Sequence, residues 1–246
     1  MTEIDERTIT LKPFISSDVT LNPKGARVEQ LYLGGSLLWD KVTRGDGKET
    51  STHPCTPIFG SETWTSFVLP QHGPMRNDEV RILTTQSAAI AIYDIHEGTY
   101  PNGISVYQQF SLDSNNFTIK TTHFNQGNEP APVNFAEHAY WLTPKGWEGL
   151  MINGEDVTQL VKEDRILKWK DLNEILIPGV PRILLAQKGL PYANLWAGTN
   201  SKGLCDTHYV CIEPVEQDPT SSKGFGYKES LILPGHFRQN EFTIIV

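Results

Sequence analysis

The sequence has no long hydrophobic run. Among its 246 residues the longest uninterrupted apolar stretch is 88–93, far below the roughly 20 residues that a membrane-spanning helix needs. Cysteine is scarce: Cys55, Cys205 and Cys211 are an odd number without a Cys-x-x-Cys pair, which argues against a disulfide framework and a zinc knuckle. Basic charge is in deficit, 21 Lys and Arg against 29 Asp and Glu, for a net charge of −8. Such a chain lacks the cationic footprint that phosphate backbones demand, so nucleic acid is not an expected partner. Residues 1–10 are acidic and polar, without the basic and apolar regions of a secretory signal, and a cytoplasmic protein is expected.

Several chemistries lack their signatures. There is no Gly-x-x-x-x-Gly-Lys-Ser/Thr, and Gly34-Gly35-Ser36 does not extend to a dinucleotide fingerprint. No Gly-x-Ser-x-Gly elbow and no His-Glu-x-x-His pair occurs. Long stripes of 3.6-residue period are missing too. In their place stand short β-branched and aromatic stretches separated by 20 glycines and 16 prolines spread along the chain. Residues 104–110 alternate apolar with polar, residues 113–116 are turn-formers, and residues 117–122 resume the period of two, which reads as a hairpin. Similar stretches are 90–95, 133–141, 182–186, 194–197, 209–213, 229–233 and 242–246. With 38% hydrophobic residues and no linker-like tract, the expectation is one all-β domain over 1–246, a large, mainly antiparallel sandwich.

Three segments join ionisable groups to residues that fix geometry: Gln71 to Asp78, Asn125 to Trp141, and Tyr209 to Pro214. With a period of two, His138 shares a face with Asn134, Ala136 and Tyr140, and Glu213 shares one with Cys211 and Tyr209. A carboxylate in half-apolar surroundings near a strand end gains proton affinity, and an imidazole exchanges protons near neutrality, so the two suit acid/base work. Pro214 biases Glu213 to an extended backbone. A metal site assembled from His72, His123 and His138 is the minor alternative. His53, His96, His123, His208 and His236 receive no catalytic or sugar-binding role.

These segments also carry a family resemblance. His72-Gly73-x-x-Arg76, the stretch from Asn125-x-Gly127 through Pro130-x-Pro132-Val133 to His138-x-Tyr140-Trp141, and Cys211-Ile212-Glu213-Pro214 resemble the aldose 1-epimerase, galactose mutarotase-like family. Residues 52–60, Thr-His-Pro-Cys-Thr-Pro-Ile-Phe-Gly, are similar to an entry segment of some members, and residues 25–31 with Leu37-Leu38-Trp39 to its opening hairpin. The resemblance implies a sandwich whose concave face binds a pyranose. It assigns Glu213 as base and His138 as acid of ring opening, and it implies His72 and Arg76 as sugar ligands. Trp196 or Trp141 is the candidate stacking platform by residue type alone.

The expected activity is interconversion of hexose anomers without cofactor or metal. The alternatives are a carbohydrate-binding sandwich that has lost catalysis and a hexose-6-phosphate epimerase. Phosphate epimerases carry Arg-Gly-Gly where this sequence has Thr52-His53-Pro54, so neutral aldoses are expected, unless Arg76 with Arg27 or Arg44 rebuilds a cationic site from distant strands.

Overall fold

The structure, a computed structural model, describes residues 8–60, 68–96, 99–199, 204–218 and 228–246. Two large antiparallel sheets dominate it. The nine-stranded sheet runs from Glu155–Asp156 through Met151–Ile152, Leu172–Leu176, Ile183–Lys188, Phe237–Ile245, Asn116–Asn125, Ile104–Leu112 and Ala88–Ile95 to Arg81–Thr84. The expected hairpin is at its centre, with Ile104–Leu112 paired to Asn116–Asn125 over nine residue pairs. Strict alternation of buried and partly exposed residues along Asn116–Asn125 gives this sheet one face for the core and one for solvent.

The ten-stranded sheet starts with the hairpins Ile9–Phe14, Ser17–Asn22, Arg27–Leu33 and Ser36–Trp39, then continues through Tyr140–Leu142 to Tyr209–Val215. Beyond that strand lie Ala136–His138 with His53–Cys55 on one branch, and Tyr192–Trp196 with Arg165–Lys168 on the other. All seven residues of Tyr209–Val215 are buried, so this strand is covered on both faces. One face meets the core between the sheets. There Trp39 stands edge-on to Trp141 at 5.3 Å and to Phe117 of the opposite sheet at 5.9 Å. The other face forms the floor of a cavity.

Two features differ from the sequence reading. Residues 133–141 are not one strand: Ala136–His138 pairs with His53–Cys55, Tyr140–Leu142 pairs with Ser36–Trp39, and Ala139 lies at the change of neighbour. Glu213 is inside the Tyr209–Val215 strand and not at its end, because pairing with Tyr192–Trp196 continues past it to Val215. Among the described residues no helix is long and apolar enough to cross a membrane.

Candidate active site

Strand register sets the site. Ala136 faces Val215 and Tyr140 faces Cys211, so between these pairs the same register carries His138 opposite Glu213. The backbone ladder is open over that interval, where Pro214 has no N–H to contribute. On the outer flanks His138 faces His53, and Glu213 faces Asn194. The four residues His53, His138, Glu213 and Asn194 therefore form one row across four strands. Two positions along, on the same face, run apolar neighbours: Cys55, Ala136, Val215 and Tyr192 on one side, and Tyr140, Cys211 and Trp196 on the other. A polar row held between two apolar rows is a line of ionisable groups in a low-dielectric wall.

The row faces a cavity of about 650 Å³, lined also by the turn around His72 and by Arg44, Lys48 and Asp164. That volume suits a small ligand. His138 Nε2 lies 3.4 Å from Glu213 Oε1, and Asn194 Nδ2 donates to Glu213 Oε2 at 3.4 Å. Glu213 is 1% exposed, more deeply buried than the sequence reading supposed. Burial first, and then the Asp164 carboxylate, push its proton affinity well above the usual carboxylate range. Burial also holds His138 well below an ordinary imidazole, with further contributions from His53, His72, Arg76 and Arg44. Both shifts oppose the charged form, so burial favours the neutral carboxyl beside the neutral imidazole, a pair that differs from carboxylate and imidazolium by one proton passed over 3.4 Å.

His72 occupies a left-handed backbone position, φ 62, in the turn Pro70 to Gly73, where glycine is the usual occupant. Gly73 follows because nothing larger fits: a Cβ there would lie 1.8 Å from the Thr56 carbonyl oxygen. The Gly60 N–H donates to His72 Nδ1 at 3.2 Å, which leaves the ring's proton on Nε2. Burial, then Arg76 and Arg44, lower the His72 pKa to about 3, so this imidazole is neutral.

The structure brings the sequence-read residues Glu213, His138, His72, Arg76 and Trp196 to one cavity. Trp196 stands edge-on to His138 at 5.8 Å, under the Arg44 guanidinium at 5.7 Å. Trp141 is core instead, fully buried, with its indole N–H donating to the Ile212 carbonyl at 3.3 Å. The three histidines of the metal alternative are not gathered. His123 belongs to the opposite sheet, where its Nε2 lies 2.6 Å from Thr56 Oγ1. Among the described residues the group compact enough for a shared cation is His138, Cys211 and Glu213, with ligand atoms within 4.8 Å of one another. Burial and the Glu213 carboxylate raise the Cys211 thiol's pKa, which disfavours the thiolate a metal would need.

Arg27, Arg44, Lys48, His53, Asp164 and Asn194 are among the lining residues that have no firm place in the sequence reading. Asn194 was legible in principle, since it is two positions before Trp196 on one strand. Asp164 was not, because a positive φ of 52 at the turn before Arg165–Lys168 aims it, and no spacing announces that turn.

A family model described as aldose 1-epimerase matches residues 29–179. The chain belongs to the aldose 1-epimerase family. As a member it falls in an isomerase class. Its fold is that of solved galactose mutarotase-like proteins. The galactose mutarotase related enzyme of Lactobacillus acidophilus has a TM-score of 0.77 at 14% identity, covering 97% of this chain and 96% of that one. A galactose mutarotase-like protein of Lactobacillus casei has 0.75 at 13%, covering 97% and 99%. An aldose epimerase homologue of C. elegans has 0.63 at 13%, covering 97% and 98%. No curated protein matches the chain by sequence. The matched span of this epimerase-family chain holds His53, His72, Arg76 and His138 but ends before Trp196 and Glu213, which join the site through strand register.

Proposed function

We propose that the protein interconverts the α and β anomers of a hexose by ring opening and closure, with Glu213 and His138 as the acid/base pair. The observation that carries this reading is the 3.4 Å approach of His138 Nε2 to Glu213 Oε1 on one wall of the cavity. The anomeric carbon bears two geminal oxygens, the hydroxyl and the ring oxygen. A proton acceptor and a proton donor a few ångströms apart can address both at once.

Glu213 removes the proton of the anomeric hydroxyl while His138 delivers one to the ring oxygen. The bond from the anomeric carbon to the ring oxygen breaks and an open-chain aldehyde forms. After rotation the other carbonyl face is attacked, the two protons return, and the pair is restored with no net change. Once a proton has passed from Glu213 to His138, burial makes the resulting carboxylate a stronger base and the imidazolium a stronger acid. His72 Nε2–H and Arg76 donate to sugar oxygens, Asp164 accepts from a hydroxyl, and Trp196 offers a flat apolar surface to the pyranose ring. Exchange spectroscopy of sugar anomers by NMR, over free hexoses and their 6-phosphates, tests this. Enzyme-dependent exchange is expected, and its absence from the whole panel would overturn the reading.

A second reading concerns the sugar's substituent. Arg27, Arg44, Lys48 and Arg76 line one cavity of a chain whose net charge is −8, and Arg76 Nε is buried with no hydrogen-bond partner among the described residues. Such convergence favours a hexose with an anionic group, such as a 6-phosphate, over the neutral aldose read from residues 52–54. Competition decides between them. A phosphate ester preferred in kcat/KM, with a preference that shrinks as salt rises, supports the anionic substrate; equal turnover of neutral hexoses refutes it.

A further inference from the structure

The register that sets His138 opposite Glu213 also sets His53 opposite His138, so the polar row begins one strand further out. His53 lines the cavity and is 2% exposed. Its ring stacks on His138 with centroids 5.0 Å apart and planes 24° apart. His53 Nδ1 lies 2.7 Å from the Ser51 carbonyl oxygen, and a carbonyl only accepts, so Nδ1 carries the ring's proton. Burial, then the Arg27 guanidinium, hold the His53 pKa well below the ordinary value, so no second proton is present near neutrality. Nε2 is therefore a bare lone pair. It is buried and, among the described residues, has no hydrogen-bond partner.

A buried acceptor left without a donor is costly and uncommon in folded proteins. In a cavity wall the missing donor is supplied by what fills the cavity. The surroundings narrow its chemistry. Arg27 and Arg76 line the same cavity and disfavour a cationic donor such as an ammonium, and the neutral donors that a pyranose offers are its hydroxyls. Facing His53 at a ring separation of 6.5 Å and 76° is His72, whose Nε2 carries a proton. One imidazole offers an acceptor and the other a donor, the two halves of what a hydroxyl group can satisfy.

We propose that His53 is a substrate-binding residue whose Nε2 accepts a hydrogen bond from one hydroxyl of the bound sugar, making that hydroxyl a requirement for turnover. The inference rests on the anomer-exchange reading of the same cavity and adds a specificity determinant to it.

The test uses whichever of glucose, galactose and glucose 6-phosphate the wild-type protein turns over fastest, with analogues in which each hydroxyl is replaced by hydrogen or by fluorine. At one position both replacements are expected to lower kcat/KM by about 10- to 100-fold, because fluorine cannot donate to His53. In His53→Phe, which keeps the flat ring and removes both nitrogens, the penalty at that position is expected to shrink to about twofold while the others persist. A readout independent of that variant's folding is the ¹⁵N resonance of His53 Nε2 in the wild-type protein. It should move toward its protonated position on saturation with the parent sugar and stay in place with the matching deoxy analogue. A wild-type protein that exchanges anomers while His53→Phe keeps the full hydroxyl profile, or while the Nε2 resonance stays fixed, overturns the role of His53 alone. A wild-type protein that exchanges no sugar removes the parent reading as well.

Discussion

Glu213 and His138 gain their chemistry from what surrounds them. A carboxylate and an imidazole in water are far apart in proton affinity, about 4.3 against 6.5, and the imidazole is the better base. In the cavity wall, burial penalises the charged form of each, raising one and lowering the other, and the local field of Asp164 and of the arginines adds to both shifts. Replacing either group by an isostere that cannot exchange protons breaks the cycle. Glu213→Gln and His138→Asn are each expected to lower kcat by about 10²–10⁴-fold with little change in KM and with the circular dichroism of the native fold. Turnover at the wild-type rate in either variant would exclude that residue as a proton carrier. His72 was legible in the sequence as part of a motif. Its tautomer was not, because the proton's place is set by the Gly60 N–H, twelve residues away.

At the scale of elements, the turn carrying His72 and the Tyr209–Val215 strand do most to build the site. The turn folds back so closely that Gly73 lies under the Thr56 carbonyl, and His72 accepts a backbone angle unusual for its type. Gly73→Ala adds a methyl group where 1.8 Å is free and is expected to cost about 1–3 kcal/mol of stability. It should also raise KM by displacing the His72 ring. Denaturant unfolding and steady-state kinetics of the variant check both, and an unchanged KM would show that the His72 ring does not contact the substrate. The strand contributes differently. Its alternation places Cys211, Glu213 and Val215 on the cavity side, and Pro214 falls where the ladder to its neighbour is open, which leaves His138 and Glu213 facing each other. Period two was readable along residues 209–213. The partner of each residue was not, since register is a relation between segments about 75 positions apart.

The whole molecule is two sheets closed on one core, and the seam includes a buried carboxyl. Glu137, beside His138 but on the opposite face, accepts a hydrogen bond from Gln108 Nε2 of the other sheet at 2.8 Å. Burial raises its pKa to about 8 from 4.5. A raised carboxyl favours folding most while protonated. Its contribution is complete below about pH 4.5 and is lost as pH rises through about 8. Glu137→Gln should therefore flatten the fall in stability between these limits, gaining on the wild-type protein by a few kcal/mol at pH 8. Chemical denaturation at several pH values tests it, and parallel curves for the two proteins would refute it. The sequence by itself determined the all-β class, the central hairpin, the family resemblance and five residues of the cavity, because alternation and short motifs are local and survive without partners. Only the tertiary structure decided that residues 133–141 divide between two neighbours, that Trp141 belongs to the core, that His123 stands apart, and that His53, Asn194, Asp164, Arg27, Arg44 and Lys48 share the site. Those facts depend on which strands lie side by side and in what register, and that choice is made by burying the inner faces of both sheets against each other.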